Sequence, residues 1–311
     1  MEKIYRNSFR SVYLKMIFFS LKNLTKATTL VLFLALASLS SHAQTVKEPK
    51  DTPSEWSKPY PPFRIVGNLY YVGTYDLACY LLTTAQGNIL INTGLANSAV
   101  IIEKNIKALG FKLSDTKILL TTQAHYDHMG AMAALKKSTG AKVMVNQNDA
   151  QVMRDGGSSD YALGNGVSSY LPLNPDKTLK DGELISLGGI KLKMLNHPGH
   201  TKGSCSYIFD VIDGTKTYKV LIANMPTIVT EKKFSDVANY PTIEKDYAYT
   251  LKAMKNLKFD IWLSSHASQF NLHQKHKPGV PYAPTAFIDQ AGYHKALAEL
   301  QIQYDKKVKK D

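Results

Sequence analysis

From residue 63 onward the chain alternates short apolar runs, broken by Gly, with stretches whose apolar residues recur every three or four positions. The runs at 63–66, 69–72, 78–83 and 88–92 have the length and the β-branched, aromatic character of strands. Val100, Ile101, Ile102, Ile106 and Leu109 fall at helical spacing and Gly110 ends the pattern, which predicts a helix over 99–109. A buried-type strand at 117–122, built on Ile118-Leu119-Leu120, runs into a His-rich loop. A helix over 129–138, a strand at 142–145 and a helix from about 148 follow. The stretch 156–176 is rich in Gly, Ser, Asn and Pro and reads as a long surface loop. Strand patterns return at 190–195, 204–210 and 218–223, then a helix at 242–257, a strand at 259–264 and a C-terminal helix over 284–306.

Strands and helices thus come in two similar batches. That pattern predicts an α/β protein, a four-layer αβ/βα sandwich in one domain over 63–311. Residues 44–62, with Pro49, Pro53, Pro59, Pro61 and Pro62, read as an arm outside the core.

Residues 1–43 read as a secretory signal. Lys15, Lys22 and Lys26 precede an apolar run from Leu30 to Leu39, and Ser41-His42-Ala43 places small residues for cleavage after Ala43. The run is too short to cross a bilayer, so no membrane span is expected after cleavage. Met16 is an alternative start to Met1. A periplasmic or secreted protein follows.

The formal charge of +13 is inflated by this leader, whose six cations against Glu2 account for +5 and leave about +8. The remaining lysines are scattered apart from Lys306, Lys307, Lys309 and Lys310, and no Arg-rich stripe with aromatics appears, which argues against nucleic acid. Two cysteines, Cys79 and Cys205, do not make a disulfide framework, and each sits in an apolar run that suits a buried free thiol.

The chemistry concentrates where strands end. Gln123-Ala124-His125-Tyr126-Asp127-His128 follows the strand 117–122. Imidazole and carboxylate are the usual ligands of Zn²⁺ outside thiolate sites, and side chains at different offsets along one loop can feed two neighbouring metal positions. Asn196-His197-Pro198-Gly199-His200-Thr201 and Ser264-Ser265-His266-Ala267-Ser268 also present His at a strand end. Three such loops gathered at one edge of a sandwich would build a metal cluster.

Here the sequence resembles a known family. His266-Ala267-Ser268-Gln269-Phe270-Asn271-Leu272-His273 and Pro198-Gly199-His200-Thr201-Lys202-Gly203-Ser204 match the metallo-β-lactamase superfamily, and within it class B β-lactamases of subclass 3. The similarity extends to Asn68-Leu69-Tyr70-Tyr71-Val72-Gly73 and Gly87-Asn88-Ile89-Leu90-Ile91-Asn92-Thr93-Gly94. The chain is most similar to the GOB-type branch, which carries Gln at the first ligand position, here Gln123. The resemblance implies a first zinc site of Gln123, His125 and His200 and a second of Asp127, His128 and His266. It implies a β-lactamase that opens penicillins, cephalosporins and carbapenems by a zinc-bound hydroxide, and so confers antibiotic resistance. Asp127 would orient the nucleophile or pass a proton. The partner is a small-molecule β-lactam, and a monomer is expected.

Two departures carry consequences. Gln123 offers a neutral amide oxygen in place of an imidazole, a weaker donor for Zn²⁺, so one or two zinc ions are expected, with the Asp127, His128, His266 site the tighter. Met225 stands where related hydrolases place Cys, Asp or Ser, and it should wall the site without ligating zinc. Thr227 aligns with a hydroxyl that holds the substrate carboxylate. His197 and His273 flank the ligand segments and would support the site from behind, while His276 is expected in solvent. The alternatives are another hydrolase of this fold, a glyoxalase-type thioesterase or a lactonase, or a non-catalytic periplasmic zinc-binding protein.

Overall fold

The structure, a computed structural model, describes residues 46–309, and the leader expected at 1–43 lies outside them. Seven strands lie side by side in chain order: β1 (Phe63–Val66), β2 (Leu69–Tyr71), β3 (Tyr80–Thr84), β4 (Gly87–Ile91), β5 (Thr116–Leu120), β6 (Lys142–Asn146) and β7 (Lys177–Leu179). The first four pair antiparallel and β4 to β7 pair parallel. A second sheet has the order β12-β11-β10-β9-β8, from β8 (Leu184–Leu187), β9 (Ile190–Asn196), β10 (Cys205–Asp213), β11 (Lys216–Ala223) and β12 (Ile261–Ser264). The described helices are α1 (Ser98–Ala108), α2 (Tyr126–Met129), α3 (Met132–Thr139), α4 (Ala150–Arg154), α5 (Ile243–Lys255), α6 (Leu272–Lys275) and α7 (Gln290–Val308).

Side-chain alternation along the strands separates two cores. Tyr80, Leu82, Ile89, Ile91, Ile118 and Leu120 point toward the second sheet, where they meet Leu192, Met194, Tyr207 and Phe209. Leu81, Leu90, Leu119 and Val143, one residue out of phase, point toward Ile102 and Ile106 of α1, Leu135 of α3 and Met153 of α4. Leu251 and Met254 of α5 and Tyr293 and Leu297 of α7 cover the other sheet. This is the αβ/βα sandwich the patterning predicts. Cys79 belongs to the outer core and Cys205 to the inner one, so the sheet parts them and both remain free thiols.

Several expectations need correction. Strands β7 and β8 were not anticipated, because β7 buries only Leu179 and β8 chiefly Ile185, too little apolar signal to stand out. The single helix expected over 129–138 is two, parted at Gly130, where a Cβ would stand 2.4 Å from the backbone nitrogen of Ala96. The C-terminal helix begins at Gln290, capped by Asp289, whose Oδ1 accepts the Gly292 N–H at 2.8 Å. His276 is half-buried: its ring stacks on Phe63 at 3.5 Å and its Nδ1 lies 3.0 Å from the Tyr60 hydroxyl. The arm is likewise fastened down, with Tyr75 N–H on the Lys58 carbonyl (2.7 Å) and Asn105 Nδ2 shared among the carbonyls of Tyr60, Val72 and Gly73.

Topology puts the candidate loops at one edge. Since β9 and β11 are each antiparallel to β10, and β12 is parallel to β11, the C-terminal ends of β9, β11 and β12 emerge together. The adjoining sheet delivers the end of β5 to them through Cys205 N–H on the Thr122 carbonyl (2.8 Å) and Thr122 Oγ1 at 2.9 Å from Ser265 Oγ, while Ala78, just before β3, gives its N–H to the Ser265 carbonyl (3.1 Å).

Candidate metal centre

The His-rich loop after β5 is held by its backbone. Asn92, whose φ of 62° turns its side chain back, accepts the Thr122 N–H on Oδ1 at 2.9 Å. His125 then opens the single turn of α2, its carbonyl taking the N–H groups of His128 and Met129 at 3.0 Å. An isolated helix needs about 12–15 residues to persist in water, so packing holds this turn in place. It presents Asp127 and His128 together, both buried.

Asp127, His128 and His266 meet with one ligand atom each, all within 4.8 Å of one another. Asp127 Oδ2 stands 3.1 Å from His128 Nε2 and 3.3 Å from His266 Nε2. Two ligand atoms about 2.0–2.1 Å from one tetrahedral ion stand about 3.3 Å apart. His128 Nε2 is buried and, despite its proximity to Asp127, is not aligned for a hydrogen bond to any group among the described residues. A cation between the three satisfies that atom and neutralises a carboxylate otherwise costly to bury. The residues therefore fit a zinc ion. Burial alone would raise Asp127, yet His128 and His266 hold it well below the usual carboxylate range. Burial would lower His266, but Asp127 and Asp76 raise it to about 9, so a metal entering here displaces a proton.

His125 and His200 face each other beside this cluster, ring centroids 4.9 Å apart. His200 directs Nδ1 to the Thr227 carbonyl at 2.8 Å and to Thr227 Oγ1 at 2.9 Å, which leaves Nε2 unprotonated. Burial, reinforced by His125, pushes its pKa down to about 3. Gln123 is buried at the head of the same loop, and its Oε1 accepts from Asn224 Nδ2 at 3.3 Å, which leaves one lone pair of the amide oxygen.

The other sequence-selected residues fall around the ligands. His197 is buried, its Nδ1 2.6 Å from Ser206 Oγ, which accepts Asn224 N–H at 3.0 Å, so His197 connects to Gln123 only through Ser206 and Asn224. Burial pushes His197 down to about 4. Met225 is buried at the end of β11 and lines, with Thr227 and Ser268, a cavity of about 300 Å³. His273 stacks on Tyr75 at 3.7 Å and reaches the Tyr75 carbonyl with Nε2 at 2.9 Å, next to Asp76.

Sequence reasoning missed three buried or half-buried carboxylates that support the candidate ligands or their loops. Asp76 takes His266 Nδ1 at 3.1 Å and the Trp56 indole N–H at 3.1 Å on Oδ2, and Ser268 N–H at 2.8 Å on Oδ1. Fully buried Asp149 staples two ligand loops, accepting Ala124 N–H (2.9 Å), Thr201 Oγ1–H (2.7 Å) and Gly203 N–H (2.7 Å). Asp160 approaches His125 Nε2. None sits in a motif, and an isolated Asp between turn residues carries no sequence signal for burial.

The model of the Metallo-beta-lactamase superfamily matches residues 74–211. LRA-12, a class B3 di-zinc metallo-β-lactamase from an Alaskan soil metagenome, superposes with a TM-score of 0.84 at 65% identity over 85% of this chain and 100% of its own. The metallo-β-lactamase GOB-18 of Elizabethkingia meningoseptica gives 0.86 at 57% over 86% and 100%, and a β-lactamase of Chitinophaga pinensis 0.82 at 57% over 84% and 99%. A hydroxyacylglutathione hydrolase of Bradyrhizobium sp. is 29% identical over 109 residues, 35% of this chain. The match spans only 34% of that hydrolase's length. The chain belongs to the metallo-β-lactamase superfamily, in its class B3 group alongside GOB-18.

Proposed function

We propose that this chain is a zinc-dependent β-lactamase that opens penicillins, cephalosporins and carbapenems and so confers resistance. The observation that carries the reading is the Asp127, His128, His266 cluster, with an orphaned Nε2 at its centre, in a chain of class B3 ancestry. Zinc, when bound, supplies Lewis acidity, polarising the substrate carbonyl and lowering the pKa of water to about 7.

The protein's own groups do the rest. Asp127, His128 and His266 would hold one ion, and Gln123, His125 and His200 a weaker one. Asp127 engages the cluster through Oδ2 and keeps its other oxygen to take a proton from the attacking water and pass it to the departing ring nitrogen. Thr227 Oγ1 accepts from His200, so its own O–H is free to donate to the substrate carboxylate. Met225 closes the wall without ligating zinc. Residues 1–43 would direct export and be removed, leaving the arm 44–62 and the domain 63–311 as a periplasmic or secreted monomer. Among the described residues no helix is long and apolar enough to cross a membrane.

Nitrocefin and imipenem turnover by the purified protein, with chelator and with zinc restored, is the test. Chelator-sensitive, zinc-restored hydrolysis of both supports the assignment. A folded, zinc-loaded protein inert toward both moves it to a thioester or lactone, the substrate classes of other hydrolases on this scaffold.

A further inference from the structure

The stretch 156–176 has the composition of a surface loop, yet it carries a carboxylate into the interior. Asp160 is 4% exposed. A buried carboxylate demands partners, and Asp160 has two kinds. Its Oδ1 accepts the N–H groups of Ala162 (2.9 Å) and Leu163 (2.8 Å), which fixes the turn it stands on. Its Oδ2 lies 3.3 Å from His125 Nε2, both side chains almost fully buried. The contact is close but off the line of an ideal hydrogen bond, and among the described residues His125 Nε2 has no other acceptor. A small ring rotation would align the two.

The three histidines show one rule. His266 gives Nδ1 to Asp76 and turns Nε2 to Asp127 and the cluster. His200 gives Nδ1 to Thr227 and leaves Nε2. His125 turns Nε2 toward Asp160 Oδ2 at 3.3 Å, a small ring rotation short of a hydrogen bond, and leaves Nδ1. A ring nitrogen held by an acceptor from a separate element fixes the tautomer and makes the other nitrogen the better ligand, as at His266 and His200, and Asp160 is placed to do the same for His125. The same stretch grips both ligand loops. The Tyr161 hydroxyl donates to the carbonyl of Gly199, next to His200, at 2.9 Å, and the Tyr170 hydroxyl to the Ala124 carbonyl at 2.8 Å.

The geometry points to Asp160 as a positioning residue that presents His125 to the first metal position and couples the segment 156–166 to its occupancy. The inference rests on the zinc reading above. It gives the site with the neutral Gln123 ligand a compensating negative charge behind its His125. Coupling of this kind is reciprocal: if the ordered segment favours the ion, the ion must order the segment to the same extent.

The test titrates zinc alone into metal-free protein against a chromophoric chelator, for the unmodified chain and Asp160→Asn, and for both in a Gln123→His background that strengthens the first position. Asn keeps an oxygen for the amides of Ala162 and Leu163 and loses the charge. The expected result is a weaker equivalent whose Kd rises about 10–100-fold, while the tighter one changes by less than about threefold. Hydrogen exchange at the amides of 158–164 should slow when the weaker equivalent binds to the unmodified chain, and should not in Asp160→Asn. An unchanged weaker Kd overturns the inference. Should the variant fail to fold, exchange in the unmodified chain decides, and amides indifferent to the second ion overturn it. A chain that takes up no zinc overturns the zinc reading as well, whereas two ions bound equally by parent and variant overturn only the role of Asp160.

Discussion

Asp76 Oδ2 stands 3.1 Å from His266 Nδ1 and takes the indole N–H of Trp56 at the same distance, so a residue of the N-terminal arm reaches the candidate metal centre through one shared oxygen. The Trp56 ring also lies against His266, centroids 5.4 Å apart. Carboxylates behind ligating histidines typically contribute 10–100-fold in metal affinity. Asp76→Ala should therefore weaken zinc binding at the Asp127, His128, His266 position by about 10–100-fold. Trp56→Phe, which keeps the ring and removes the N–H, should cost less. Chelator competition on both variants measures this, and equal affinities in all three proteins would detach the arm from the site.

Gln123 supplies a neutral amide oxygen, already shared with Asn224 Nδ2 at 3.3 Å. An imidazole is the better donor for zinc, so Gln123→His should tighten the first position. The titration should change from one tight and one weak equivalent to two of comparable strength. Two equally tight equivalents in the unmodified chain would refute the expected weakness.

Gly203 packs where a Cβ would stand 2.5 Å from the backbone nitrogen of Asp149 and 2.6 Å from its carboxyl carbon. Gly203→Ala must push Asp149 off the loops it joins. Overpacking of this kind costs about 1–3 kcal/mol, and here it also disturbs the His200 loop. Urea denaturation should report that loss, accompanied by weaker zinc binding at the Gln123, His125, His200 position. A variant as stable as its parent would show that the staple is dispensable.

Burial, then His273, holds His276 below its ordinary value of 6.5. The folded protein thus binds fewer protons here than the unfolded chain, and stability from this group rises with pH. It is fully present above 6.5 and is lost as pH falls below it toward the folded value. Because His276 packs on Tyr60 and Phe63, that loss loosens the arm. Acrylamide quenching of tryptophan, with Trp262 buried and Trp56 the responsive one, should increase between pH 7.5 and 5. His276→Phe should flatten this component, and an unaltered pH profile would exclude His276 as its source.

The sequence by itself determined the architecture and marked the residues that would hold metal. Alternating apolar positions in β3 and β4, and helical spacing in α1, reflect local burial, which a linear pattern records directly. His125, Asp127, His128, His200 and His266 stood out because imidazole and carboxylate recur at strand ends, Gln123 only through the resemblance to the GOB-type branch, and the topology brings those ends to one edge. What only the tertiary structure decided is which groups stand behind the ligands. Asp76, Asp149 and Asp160 are separated from the loops they hold by tens to nearly two hundred residues. In sequence, each is indistinguishable from a solvated turn Asp. Their roles follow from burial and from the direction of single oxygen atoms, quantities that exist only once the two sheets have closed around them.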